Sequence, residues 1–152
     1  MSTEQTASAT GSCLCRAVRY EVTGPLRSVL YCHCEQCRKT SGHFVAATAC
    51  YFNDFHLLAD DGLRWYRSSS KAERGFCSSC GASLFWRPDG EDRLCIMAGT
   101  LDRPTNLQAI GHIFVEMASD YHRITDGLPQ YEQNDSRAWA EVGEHGITPK
   151  RD

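Results

Sequence analysis

Apolar and polar residues alternate along this chain in short runs with a period of two. From Ala17 to Val22, the side chains of Val18, Tyr20 and Val22 share one face, and Arg19 and Glu21 the other. That is the pattern of a strand buried on one side. Val29 to Tyr31, Phe44 to Phe52, Leu63 to Tyr66, Ser83 to Arg87, Leu94 to Ala98 and His112 to Val115 read as further strands. Gly24-Pro25, Asp61-Gly62, Pro88-Asp89-Gly90 and Arg103-Pro104 stand between them as turn signals. Helical periodicity is thin. Glu35 to Thr40 predicts one turn, and Ser136 to Val142 predicts a short C-terminal helix with Ser136 as its cap. Many short strands, punctuated roughly every ten residues, predict an all-β fold.

No linker or repeat interrupts 11–142, which predicts one domain, with 1–10 a flexible arm and 143–152 a loose tail. The composition, 41% hydrophobic and 23% charged, is that of a globular chain with a sizeable core. A net charge of −3 carries no polybasic signal, which argues against nucleic acid or an anionic membrane as the main partner. The opening MSTEQTASAT has neither the basic nor the apolar region of a signal peptide. Phe44 to Phe52, the longest apolar-leaning stretch, is too short to span a bilayer. These features predict a cytoplasmic protein with reduced thiols.

The cysteines change the picture. Seven of the nine fall into three clusters, Cys13-x-Cys15, Cys32-x-Cys34-x-x-Cys37 and Cys77-x-x-Cys80. Nine is odd, so disulfides within the chain cannot use them all, and clustered thiols in a reducing compartment point to metal. Zinc takes thiolates in a tetrahedron at about 2.3 Å, with sulfurs roughly 3.8 Å apart. Residues i and i+2 of a flat strand lie about 6.7 Å apart, so Cys13 and Cys15 share an ion only if the chain bends between them. Gly81 follows Cys80 and supplies the positive φ that closing such a loop needs.

Two pairs make a closed, structural four-thiolate site of Cys13, Cys15, Cys77 and Cys80. Cys32, Cys34 and Cys37 then hold a second ion with an open fourth position, the mark of a reactive site. Spacing leaves another division open, in which two of the trio join Cys13 and Cys15 while Cys77 and Cys80 form a redox pair. An iron–sulfur cluster is a minor alternative. Both zinc ions together would take the net charge to about −6.

Cys50 and Cys95 lie singly in apolar runs and read as small buried hydrophobes. His33, inside the trio, points away from its neighbours if the segment is extended. His112 reads as a hydrogen-bonded core residue, and His43, His56, His122 and His145 carry no motif. Arg64, Arg67, Lys71 and Arg74 read first as a solvated face and second as an anion site. Arg38 and Lys39 directly follow the trio, where cations favour thiolates and attract carboxylates.

Gly11-Ser-Cys-Leu-Cys-Arg-Ala-Val-Arg-Tyr20, Tyr31-Cys-His-Cys-Glu-Gln-Cys-Arg38 and Arg74-Gly-Phe-Cys-Ser-Ser-Cys-Gly81 together resemble the glutathione-dependent formaldehyde-activating enzyme family, whose domain is shared with centromere protein V. Ala98-Gly-Thr-Leu-Asp102, His112-Ile-Phe114 and Leu128-Pro-Gln-Tyr131 look like its later landmarks, so the likeness covers about 11–131. It implies an Mss4-like β-tent with few helical turns. It also implies two zinc ions per chain: a structural one on Cys13, Cys15, Cys77 and Cys80, and a catalytic one, open to partial occupancy, on Cys32, Cys34 and Cys37. The activity implied is that of a carbon–sulfur lyase joining glutathione to formaldehyde as S-hydroxymethylglutathione. Arg16 stands where the family commonly has Gly, and Tyr121 near a common Trp. The rival reading is a non-catalytic zinc module that binds a small thiol, an adduct or a protein partner. A zinc-free dithiol redox protein is the third.

Overall fold

The computed structural model describes residues 9–133. Ten strands dominate it: β1 (Ala9–Ser12), β2 (Val18–Val22), β3 (Val29–Cys32), β4 (Val45–Cys50), β5 (Phe55–Asp60), β6 (Leu63–Arg67), β7 (Ala72–Cys77), β8 (Ser83–Pro88), β9 (Leu94–Met97) and β10 (Ala109–Ile113). A single α-helix, α1 (Glu35–Ser41), follows β3, and short 3-10 turns complete the described residues. The fold is all-β, as the pattern and the resemblance both imply. Ala9 and Thr10 belong to β1 rather than to the N-terminal arm. The rest of that arm, the helix expected over 136–142 and the tail at 143–152 lie outside the described residues.

The strands form two sheets. Three make one in the order β1-β2-β5, and seven make the other in the order β10-β3-β4-β9-β8-β7-β6. Neighbours are antiparallel except β10 and β3, which run parallel with His112 beside Tyr31 and Ile113 beside Cys32. The main core lies between the sheets. Val18, Tyr20 and Val22 of β2 face Leu84 and Phe85 of β8 and Leu94 and Ile96 of β9, all buried. Tyr20 sits among rings, with centroids 5.5 Å from Phe55 and 5.4 Å from Phe85. Its hydroxyl bonds Thr100 Oγ1 at 2.7 Å, satisfying the one polar atom it carries into the core.

Three strands, β1, β5 and β7, carry no clear alternation in the sequence. In β5 (FHLLAD), Leu57 and Leu58 are both exposed, so hydropathy gives no face. In β7 (AERGFC), charged residues and a glycine weaken the signal, and the strand forms because β6 and β8 bond it on both edges. A Cβ at Gly75 would lie 3.0–3.2 Å from the Phe85 and Trp65 rings, so the missing side chain lets both close over the strand.

Candidate functional site

The turn between β1 and β2 brings Cys13 and Cys15 together, and that between β7 and β8 brings Cys77 and Cys80 to meet them. The four sulfurs lie within 4.8 Å of one another. Cys13 and Cys15 Sγ are 3.7 Å apart, as are Cys15 and Cys77 Sγ. That is the edge of a tetrahedron around an ion with bonds of about 2.3 Å to sulfur, so the donor set fits a metal ion. The bend between Cys13 and Cys15 comes from Arg16, which takes a left-handed φ of 69° while its N–H reaches Cys13 O. Gly81 has a φ of +80° and donates to Cys77 O at 2.7 Å, closing the second loop. Backbone N–H groups do more than shape these turns. Those of Cys15 and Ala82 hold the Cys80 thiol down to about 6, and that of Cys80 lowers Cys77. The turns themselves therefore favour the thiolates of Cys77 and Cys80, whereas Cys15 is pushed up to about 11, where a bond from the Ala17 backbone is outweighed by desolvation and by bonds to the neighbouring thiols.

Cys32 ends β3, Cys34 is the N-cap of α1, and Cys37 lies in its first turn. Leaving the strand straight into a helix folds these thiols into a second group, again with sulfurs within 4.8 Å. Cys34 Sγ accepts the Cys37 N–H at 3.4 Å, the bond an N-cap side chain makes. The Cys32 and Cys37 thiols, that N–H and the Arg74 guanidinium favour the Cys34 thiolate and bring it down to about 2. Cys32 is pushed far up, first by its bonds to Cys34 and Cys37 and then by burial. Among the described residues no fourth protein ligand joins this group.

A cavity of about 290 Å³ opens beside the trio, and Cys32, Cys34, Cys37 and Arg74 all line it. Arg74 Nη2 lies 3.7 Å from Cys37 Sγ, and its Nε donates to Gln36 Oε1 at 3.2 Å. The cation beside Cys37 is thus Arg74, from β7, while the two that follow the trio in sequence have other partners. Arg38 Nε donates to Met117 O, and Lys39 pairs with Glu35 at 3.7 Å on the exposed side of α1. The remaining members of the basic stretch are exposed as a solvated face is, with Arg67 paired to Asp89 at 2.8 Å. Cys50 and Cys95 are buried, and Cys95 also borders the cavity.

His33 turns away from the sulfurs into a buried relay. Its Nε2 lies 2.8 Å from His112 Nδ1, and His112 Nε2 lies 2.8 Å from Asp126 Oδ2. The Asp126 carboxylate accepts from His112 Nε2–H, which leaves Nδ1 to accept from His33 Nε2–H. Burial, and then the neighbouring His112, push His33 down to about 4, so its ring is neutral near pH 7. The Leu128 N–H and His112 keep Asp126 below the usual carboxylate range. Tyr121 packs by the end of α1, its ring 5.5 Å from His43 and its hydroxyl donating to Gly42 O at 3.0 Å. Asp126 carries no motif, and Arg74 joins Cys37 only through the pairing of distant strands. Neither placement has a local signal in the sequence.

Residues 8–117 match the family model described as glutathione-dependent formaldehyde-activating enzyme. The chain belongs to this family. An uncharacterized lyase of Schizosaccharomyces pombe is 33% identical to this family member over 76 residues, 50% of this chain and 55% of the yeast protein. The chain thus spans about half the length of that curated relative. The crystal structure of a Rhodobacter sphaeroides protein is similar at a TM-score of 0.55 and 19% identity, covering 80% of this chain and 98% of that one. At that identity the likeness speaks for the formaldehyde-activating family member's fold alone.

Proposed function

We propose that this protein is a zinc-dependent carbon–sulfur lyase that reversibly joins a thiol, glutathione-like, to formaldehyde or a similar small electrophile. The observation that carries the reading is the three-thiol group on the wall of a cavity, with a guanidinium at its edge. Zinc suits both all-sulfur donor sets, with Cys13, Cys15, Cys77 and Cys80 as the structural site and Cys32, Cys34 and Cys37 as the catalytic one. When bound at the trio, the ion supplies positive charge that favours an incoming thiol as its thiolate.

The protein's own residues do the rest. The N-terminus of α1 and β3 fix the three sulfurs on one side of the cavity, so a thiol arriving there faces the space where an aldehyde can lie. As the sulfur adds to the carbonyl carbon, negative charge grows on the oxygen. Arg74 can donate an N–H to it from beside Cys37. The His33–His112–Asp126 relay anchors the middle residue of the Cys32–Cys34 segment from behind and holds the sulfurs forward. The family membership and the relative's description as a lyase support the same reaction class.

Hydroxymethyl thioether formation from formaldehyde and glutathione, followed by exchange NMR with and without zinc-loaded protein, tests the reading. The expected result is a rate well above background that falls by about a hundredfold or more in Cys34→Ser and by tenfold or more in Arg74→Gln. A rate equal to background, unchanged in Cys34→Ser, removes the enzyme reading for this pair. Tight glutathione binding without turnover would instead identify a carrier.

A further inference from the structure

The cavity beside the trio is larger and more apolar than formaldehyde requires. Its 290 Å³ is nearly twice the roughly 150 Å³ of an apolar cavity that admits benzene. Leu30, Val45, Trp86, Met97, Ile113 and Phe114 make up its apolar lining. Formaldehyde has a single carbon and gains little from such walls. Glutathione is no better matched to them, because its carboxylates and ammonium would lose hydration against Leu30, Val45 and Ile113. Arg27 and Arg93 also border the space but are engaged. Arg27 Nη2 donates to Ala47 O at 2.9 Å, and Arg93 pairs with Glu91 at 3.4 Å.

A molecule that fits combines a polar group with an apolar body. The sulfurs and the Arg74 guanidinium meet the polar group, and rings and aliphatic side chains cover the body. We propose that the cavity binds aldehydes carrying an apolar body of about benzene size or larger, with the carbonyl oxygen turned to Arg74. The inference rests on the thiol–aldehyde reading above and widens its electrophile. The chemistry balances without a further reagent. The thiol sulfur bonds to the carbonyl carbon, the C=O π pair moves to oxygen, and the proton lost by the thiol ends on that oxygen. The product is a hemithioacetal, and nothing is oxidised or reduced.

Ala47, on β4 beside Leu30 and Met97, gives a way to fill the space. The test has a binding arm and a rate arm, both on the zinc-loaded full chain. In the first, pentan-1-ol and methanol, unreactive stand-ins for pentanal and formaldehyde, are titrated while the Met97 methyl and Trp86 indole signals are followed by NMR. Saturable shifts with pentanol that methanol does not produce, and that disappear in Ala47→Phe, are expected. In the second, kcat/KM with glutathione as the thiol should favour pentanal over formaldehyde by more than about tenfold, since each buried methylene contributes about fourfold. Ala47→Phe should erase that preference. Turnover of formaldehyde with no advantage for pentanal, and pentanol shifts no larger than those of methanol, would overturn the inference and leave the proposed function standing. Saturable pentanol binding with no turnover of either aldehyde would do the reverse.

Discussion

Arg16 holds a left-handed backbone at φ 69°, at the bend that brings the Cys13 and Cys15 sulfurs within 3.7 Å. An L-residue with a side chain takes that conformation at a cost of about 1–2 kcal/mol, part of which glycine returns through its freer unfolded chain. Arg16→Gly should therefore stabilise the protein by about 0.5–1 kcal/mol, read from urea denaturation, with metal content unchanged. A loss of stability would mean that the Arg16 side chain makes a contact worth more than the strain. Asp126 tests a different kind of residue. Asp126→Ala strands the buried His112 Nε2–H and should cost about 1–3 kcal/mol. It should also shift the His33 and His112 ring nitrogens in NMR, because the tautomer loses its anchor. At this scale the sequence is partly legible. Gly81 announces its positive φ and Cys50 its burial, since each depends on its own side chain or immediate neighbours. Arg38 and Lys39 look like the site's cations because they are adjacent in sequence. Arg74 takes that place because strand pairing, not proximity along the chain, decides which side chains meet.

Among the elements, β2, β3, β4, β6, β8 and β9 are visible as apolar runs, and α1 follows from a polar stretch after Cys34. His112 to Val115 marks β10 a few residues late, since its first half, Ala109 to Gly111, is only partly apolar and is held by the parallel pairing to β3. β1, β5 and β7 stay hidden because neighbours, rather than their own alternation, make them strands. Where alternation is strong, packing should be correspondingly sensitive. Phe85 of β8 is 1% exposed and touches both Tyr20 and Phe55 across the sheets, at ring centroids of 5.4 and 5.0 Å. Phe85→Ala should cost about 3–5 kcal/mol, measured as a shift in the urea midpoint at unchanged slope. A cost below about 1 kcal/mol would show that the two sheets close over the gap.

For the molecule as a whole, the proposed division between a structural and a catalytic sulfur group requires the two to respond differently to the same substitution. Cys13, Cys15, Cys77 and Cys80 tie the three-stranded sheet's first turn to the seven-stranded sheet, with Cys77 fully buried. Cys77→Ser should lose one metal equivalent and lower Tm by about 10 °C or more. Cys34→Ser should lose the other equivalent with a Tm change of only a few degrees. Elemental analysis and thermal melts on the two variants check this, and equal falls in Tm would contradict the division of labour. Cysteine spacing makes both groups legible in advance, because clustered thiols at metal-ligand spacing form a distinctive pattern. The apolar cavity is illegible for the opposite reason: Leu30, Trp86 and Phe114 surround one space only once three distant segments have paired.

The parallel pairing of β3 with β10 orders events in time. Val29 N–H bonds Gln108 O at 2.8 Å, and His33 N–H bonds Ile113 O at 3.0 Å, so the strand that braces Cys32 arrives some eighty residues after it, and contacts so far apart form late. A nascent chain emerging from the ribosome completes the four-cysteine set at Cys80, well before Ile113 leaves the tunnel. Under the proposed zinc reading, the four-cysteine site is thus ready for its ion early, while the trio waits unbraced. Synthesis is then the interval in which the Cys32, Cys34 and Cys37 thiols lack the brace that β10 gives them.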